Sequence, residues 1–284
     1  PPGIPLTEAD LAHDLARRAR VPVIPVAGLF DLAGPRAAGF RDSIGAGSLR
    51  IALRISSNEF IEPGLRDRLL PAIERVGVLP EETAVLVEFP DTDLTQAELV
   101  AGVFESVIEA LDEAGRWYAI VCQATSYPEV NPAAHGDDIL VPRVEWKAWM
   151  RAVEFSKGTS DHLLFGDYAA DCARMRFGKS NARAIRHFRY TTPDNWLVVR
   201  GAEKGNDTTL MRDVSRRIVR SAHYAGRGFS RADEFIYQCA EAGGGPGNST
   251  NWREINTTHH ITRVVRDMGA VKGVAFRERE MGPS

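Results

Sequence analysis

The chain has 284 residues, 44% of them hydrophobic, which is enough apolar material to bury the core of one large domain. A net charge of −3 and an ordinary charged fraction of 26% exclude a protein drawn to nucleic acid or membranes by its overall field. Three separated cysteines exclude a disulfide scaffold, and the lack of any membrane-length apolar run or signal peptide leads us to expect a cytoplasmic protein without a membrane partner.

Strand and helix patterns alternate from the start of the chain. Thr7 and Asp10 form a capping-box pattern that predicts an amphipathic helix. Residues 21–26 read as a strand whose prolines indicate irregular pairing, and residues 49–56 alternate in the manner of a second strand. Apolar residues at helical spacing predict a helix over 65–76.

The next segment continues the same alternation. Residues 84–89 form a nearly continuous apolar run, which is typical of a parallel strand covered on both faces. A capping box opens a helix over 95–115, and another strand is predicted over 118–124. Residues 125–142 are rich in Pro, Asn, Asp and Gly, and a connection of this length is often a functional lid.

The second half departs from the alternation at one point. A helix near 146–153 and a strand near 162–168 continue it, but residues 185–190 and 196–201 are two strand-like runs around a turn, which predicts a β-hairpin. Three helices follow, near 210–222, 230–239 and 261–268.

These patterns predict an α/β protein with a single domain over 1–284, built as a TIM-like (β/α)8 barrel. Six or seven βα units plus a hairpin insertion are present in the sequence. Because the opening residues resemble the interior of a longer sequence, we expect the first barrel strand to be missing before Pro1.

Active sites of such barrels lie at the carboxyl ends of the strands, and this rule selects the candidate acids. Glu88 ends an apolar strand and is a candidate general acid, base or metal ligand, although a salt bridge to Arg54 explains it equally well. Asp167 follows Gly166 at another strand end and is a candidate for function, with a helix N-cap as the alternative.

The adjacent histidines His259 and His260 are the third catalytic candidate. Neighbouring helical residues point about 100° apart, so both cannot easily face one ligand, and a metal site built from the pair is disfavoured. We predict that one of them acts as acid or base while the other caps the helix or packs in the core. A purely structural role is nearly as well supported.

Arginine and aromatic residues near strand ends are candidates for substrate binding. Arg189 and Arg200 frame the hairpin and could clamp an anion, although an exposed β-ribbon is the alternative for either residue alone. Trp252 could stack on a ring or base, but packing is the commoner role of tryptophan. The full set of substrate-binding candidates is Arg54, Arg189, Tyr190, Arg200, Trp252 and Arg253.

Several of these segments together resemble the beta protein family of phages and bacteria, which is named after a phage protein. The resemblance covers nearly the whole chain and is carried by residues 21–26, 50–54, 164–168, 189–191, 196–201 and 229–233, with Trp252-Arg253 and His259-His260. It implies an association with phage biology or antiviral defence. Family members favour Asp where this chain has Glu88, which weakens a strict catalytic assignment there.

Three functional hypotheses follow. The first is a hydrolase, such as a phosphodiesterase or nuclease, in which arginines hold the phosphate of a nucleotide or nucleic acid and a divalent metal is a candidate cofactor. The second is a sensor or adaptor that binds a nucleotide or a phage component without turnover. The third is a structural partner that uses the hairpin and the long loop to bind another protein.

Overall fold

A computed structural model describes residues 24–34, 37, 41, 44–90, 94–156, 161–173, 186–274 and 276 of the chain. The helix predicted after Thr7 lies outside these residues. The described strands are β1 Val26–Gly28, β2 Ile51–Ser56, β3 Thr83–Glu88, β4 Ala119–Gln123, β5 Asp138–Pro142, β6 Leu163–Gly166, β7 His187–Thr191 and β8 Asn195–Arg200. The described helices are α1 Leu29–Ala33, α2 Ser57–Ile61, α3 Leu65–Arg75, α4 Ala97–Ala114, α5 Val144–Phe155, α6 Asp207–Arg220, α7 Arg231–Ala240 and α8 Ser249–Val271, with a 3₁₀ turn at Pro80–Glu82.

The strands form two separate sheets. Five of them make an open sheet in the order β1-β2-β3-β4-β6, with parallel pairing from β1 through β4. The other three form an antiparallel sheet in the order β5-β8-β7. The α/β class is therefore confirmed, and so is the hairpin, in which Thr191 of β7 pairs with Trp196 of β8.

The prediction of a TIM-like barrel was wrong. Closure would require further parallel strands after β6, but β7 and β8 pair with each other and with β5 in the antiparallel sheet. After β8 the described chain continues through α6, α7 and α8 without another strand. The βα rhythm of the first half is common to open and closed parallel sheets, and so the rhythm alone could not establish closure.

The chain divides into two compact units. The first comprises the described parts of Pro1–Phe89, Val103–Gln123 and Val153–Leu164, and the second those of Pro90–Gly102, Ala124–Ala152 and Phe165–Ser284. In the first unit, one face of the sheet is mainly apolar and buried, and alternate residues such as Ile51, Leu53 and Ile55 are completely buried there. The opposite face begins with a row of alanines and becomes polar and more exposed toward the carboxyl ends of the strands.

The second unit has its main core where the hairpin meets the helices. Phe188, Tyr190, Leu197 and Val199 from β7 and β8 pack with apolar residues of α6, α7 and α8. On the other face of β8, Trp196 and Val198 pack with Tyr127 and Ala133, which belong to the segment predicted as a loop. The last five residues of that segment form β5, so much of it is ordered against the sheet. Among the helices of the described chain, none is long and apolar enough to cross a membrane.

Candidate functional site

The outer edge of β7 is completed by side chains of α8. The backbone N–H of Arg189 donates to Asn256 Oδ1 at 2.9 Å, and His259 Nε2 donates to the carbonyl of Thr191 at 2.8 Å. These two backbone groups lie two residues apart on the side of β7 that β8 does not occupy, and an edge strand leaves such groups without a partner. A polar stripe of the helix therefore takes the place of a missing strand.

His259 belongs to a fully buried network with Asp233 and Tyr190. Its Nδ1 lies 3.0 Å from Asp233 Oδ2, and its ring stacks on Tyr190 with centroids 3.8 Å apart. The Tyr190 hydroxyl donates to Asp233 Oδ1 at 2.5 Å, and the Ser230 hydroxyl donates to Oδ2 at 2.6 Å. Because a carbonyl can only accept, Nε2 donates to Thr191, and both ring nitrogens of His259 face oxygen atoms of protein partners.

The surroundings of Asp233 favour its ionised form. Burial by itself would raise the pKa of Asp233, but the hydrogen bond and charge of His259, together with Ser230 and Tyr190, bring this pKa below its ordinary value. Burial and the nearby Asp233 carboxylate raise the pKa of Tyr190, so its hydroxyl remains a donor. The network thus consists of a buried Asp233 carboxylate that accepts from two hydroxyl groups and contacts His259.

His260 forms a second network with Asp167 and Thr191. Its Nε2 donates to Asp167 Oδ2 at 2.6 Å, and its Nδ1 lies 2.9 Å from the Thr191 hydroxyl. Burial would raise the pKa of Asp167, but the hydrogen bond and charge of His260 lower it, with help from the backbone N–H of Ala169. The two histidines therefore contact one residue, Thr191, through different atoms, and each binds its own carboxylate.

The segment after β6 is a strained turn anchored on Asp167. Ala169 and Ala170 both have positive φ angles, 55° and 65°, and the backbone N–H of Asp171 donates to the carbonyl of Tyr168 at 3.2 Å. This is the conformation of a type I′ turn, which normally selects Gly or Asn because the left-handed region is costly for alanine. Asp167 Oδ1 accepts from the N–H of Ala169 at 2.9 Å. Backbone strain of this kind tends to cluster at functional sites.

Arg189 holds the same turn in place from β7. Its guanidinium donates to the carbonyl of Ala170 at 2.6 Å, forms an ion pair with Asp171, and lies 5.2 Å from the ring centroid of Tyr127. The side chain is 9% exposed. Its two terminal nitrogens donate to Ala170 and Asp171 of the turn.

The other substrate-binding candidates of this unit also contact protein groups. Arg200 donates to the carbonyl of Ala133 at 2.7 Å and to His135 Nε2 at 2.9 Å. Trp252 lies in the core and donates through Nε1 to the carbonyl of Pro246 at 2.7 Å. Arg253 is exposed on α8.

In the first unit, the polar edge of the parallel sheet contains the remaining two candidates. Register places Glu88 between Ser56 and Gln123 at the carboxyl ends of three neighbouring strands. Arg54 Nε lies 3.7 Å from Glu88 Oε2, so the salt bridge considered from the sequence is present. The Arg54 side chain is 56% exposed, and its two terminal nitrogens form none of the described hydrogen bonds.

Sequence reasoning missed four residues that the structure brings into the second unit's polar interior: Asp233, Thr191, Arg143 and Glu145. Asp233 was visible only as the third residue of a capping box, a role that already explained it. The charged pair Arg143 and Glu145 follows a predicted loop, where full burial is not expected. Among the described residues, no group of three or more His, Cys, Asp or Glu is arranged to hold a metal ion.

Comparison with known proteins gives one match. A family model described as Beta protein matches residues 5–266, which is most of the chain. Searches of curated proteins and of solved structures found no significant match.

Replacing Tyr190 with phenylalanine tests the buried network. The Tyr190→Phe variant keeps the ring that stacks on His259 but removes the donor to Asp233 and the acceptor for the N–H of Ala225. We expect unfolding in urea to show a loss of about 1–3 kcal/mol, because buried polar partners are left unsatisfied. Tyr118→Phe, at a residue 39% exposed, serves as the matched control and should change stability little. Equal stability of the two variants would contradict the network's structural importance.

Replacing Ala169 with glycine tests the strain in the turn after β6. We expect Ala169→Gly to stabilise the protein by about 0.5–1 kcal/mol, because glycine adopts a positive φ without steric cost and this gain exceeds its entropic penalty. The control Ala110→Gly, at an exposed position of α4, should instead destabilise by about 1 kcal/mol. Thermal and urea denaturation of both variants measure the difference in sign, and destabilisation by Ala169→Gly would argue against strain.

Proposed function

Because the chain belongs to the Beta protein family, we propose that it is a phage-related protein that recognises a phosphate-containing ligand, and that it acts as a sensor or adaptor. The ligand class is a nucleotide or a short nucleic acid. The proposed binding surface is the polar edge of the parallel sheet, formed by Arg54, Glu88 and Gln123.

The state of Arg54 is the observation that supports this proposal. Three arginines were predicted to hold phosphate, and two of them, Arg189 and Arg200, donate to protein groups. Arg54 differs because it forms no described hydrogen bond: Glu88 Oε2 lies 3.7 Å from its Nε, and its side chain is more than half exposed. A guanidinium oriented from one side in this way presents its planar donors to a phosphate or carboxylate.

The partners of His259 and His260 favour a binding role over a catalytic one, because their ring nitrogens are already occupied by protein groups. His259, His260 and Thr191 are each no more than 1% exposed, and both ring nitrogens of each histidine already have partners. A general acid or base must reach the proton that it transfers. These side chains cannot reach a substrate in the described conformation.

Hydrolysis of a phosphoric ester is the second candidate, and Asp167 is the residue that favours it. Its carboxylate follows β6 and is oriented by His260 and by the strained turn. In this role Asp167 would be the general base, and His260 would be a positioning residue behind it.

Substitution of Arg54 tests the recognition proposal. We expect the wild-type protein to bind at least one of ATP, cyclic AMP or a short single-stranded DNA in calorimetric titrations, with an affinity that falls as salt increases. Arg54→Ala should weaken that binding by about tenfold or more, because a charge-assisted hydrogen bond contributes roughly 1.5–3 kcal/mol. Arg116→Ala, an exposed arginine of the same unit, is the control. Absence of binding to all three probes, or equal binding by both variants, would reject this surface.

Substitution of Asp167 tests the catalytic candidate separately. Wild-type protein would be incubated with a chromogenic phosphodiester, with and without Mg²⁺ or Mn²⁺. On the hydrolase hypothesis, Asp167→Asn should lower turnover by about a hundredfold or more while leaving probe binding unchanged, because loss of a general base affects the chemical step. Asp137→Asn, at an exposed residue, should retain full activity. Wild-type protein without turnover would remove the hydrolase candidate and leave the recognition proposal intact.

A further inference from the structure

The outward face of α8 exposes an apolar stripe that the proposed function does not use. Ile261 and Val265, one helical turn apart, are 50% and 44% exposed, and Val264 and Met268 beside them are partly buried. Of the fifteen large hydrophobic residues that are exposed in the described chain, five lie between 261 and 276: Ile261, Val265, Val271, Val274 and Phe276. Scattered exposed apolar residues are normal on a protein surface, but a cluster of this kind marks an interaction site.

The residues after α8 extend the stripe. Gly273 has a φ of 68°, and the N–H of Val274 donates to the carbonyl of Gly269 at 2.7 Å, so the helix ends in a Schellman motif. The chain folds back there and places the Phe276 ring against Gly269, where a β-carbon would have no room. Because Gly269 lies one turn after Val265, the half-exposed ring adds apolar surface to the same side of the helix.

Residues of opposite charge lie at the two ends of the stripe. Glu254 lies seven residues before Ile261, and Lys272 lies seven residues after Val265. Seven residues are about two helical turns, so both positions fall on the same outward face as the apolar pair. The Glu254 side chain is half exposed and forms an ion pair with Arg231 at 2.9 Å. The spacing of this face is therefore the same when the helix is reversed, and only the sign of the end charges changes.

We propose that this face of α8 binds the α8 of a second copy of the chain, with the two helices antiparallel about a two-fold axis at the level of residue 263. Ile261 of each copy then lies opposite Val265 of the other. Glu254 and Lys272 are each nine residues from the axis, about 13 Å along the helix, so the acid of one copy lies opposite the base of the other. A two-fold interface requires such self-complementarity, because the same patch forms both of its sides.

The end charges favour the antiparallel orientation. A parallel pair would place Glu254 against Glu254 and Lys272 against Lys272, and like charges across an interface repel. An exposed ion pair contributes little free energy, so the apolar residues supply the attraction and the charges select the orientation. The stripe measures about 27 Å between its charged ends, which gives a small interface, and we expect a dissociation constant on the order of 10 μM.

Sedimentation velocity at chain concentrations from about 1 to about 200 μM tests the dimer. We expect wild-type protein to pass from the mass of one chain to twice that mass over this range. Val265→Lys should raise the dissociation constant about a hundredfold, because each dimer loses two buried valines and gains two charges at its centre. Val130→Lys, at an exposed valine outside α8, is the matched control and should dimerise like wild type. Circular dichroism should show that both variants retain the wild-type fold, since both positions are exposed.

Exchange of the end charges tests the orientation. Glu254→Lys alone places lysines opposite each other at both ends of an antiparallel pair and should weaken the dimer about tenfold. The double variant Glu254→Lys, Lys272→Glu brings opposite charges together again and should recover the wild-type affinity. Monomer at every concentration, as expected if another segment or a different protein covers the stripe, would overturn the proposal. So would a dimer that Val265→Lys does not weaken, or a double variant that does not recover.

Discussion

The free edge of β7 is the constraint on which the second unit depends. A three-stranded sheet leaves backbone groups of its edge strand without partners, and burying them unsatisfied would be costly. Asn256 and His259 of α8 satisfy the N–H of Arg189 and the carbonyl of Thr191. This requirement explains why Asn256 and His259 lie among the α8 residues that face the strand, beside the apolar Trp252 and Ile255, and it fixes the register of the helix along β7.

The position of α8 determines which buried carboxylates its two histidines contact. Fixing His259 at β7 brings its second nitrogen to Asp233 in the first turn of α7, while the neighbouring His260 reaches Asp167 after β6. Each imidazole therefore links a different element to the same strand residue, Thr191. Low-dielectric surroundings strengthen such satisfied networks and make any missing partner expensive, so the two networks specify a single arrangement of strand and helices.

The proposed binding surface and the histidine networks differ in their exposure to solvent. Arg54 is held from one side by Glu88 and remains open, whereas the groups around Thr191 are saturated by protein partners. Asp167, which contacts His260 and lies next to the strained turn, has a side chain that is 10% exposed. The sequence-based prediction placed the strand-end residues and the histidines together at the mouth of one barrel. The open sheet assigns Arg54 and Glu88 to one unit and the histidines to the other.

The sequence by itself determined the features that depend on local periodicity and capping: the α/β class, the strands at 51–56, 83–88 and 119–123, and the hairpin of β7 and β8. It also indicated the Arg54–Glu88 pair and Asp167, because polar residues at the ends of apolar strands are visible without coordinates. Tertiary structure decided whether the sheet closes, since closure depends on which distant strands pair and not on their patterns. It also decided the partners of His259, Asp233 and Glu145. Helix capping or packing already accounted for His259 and Asp233 from the sequence. The burial of these residues arises only when elements far apart in the chain pack together.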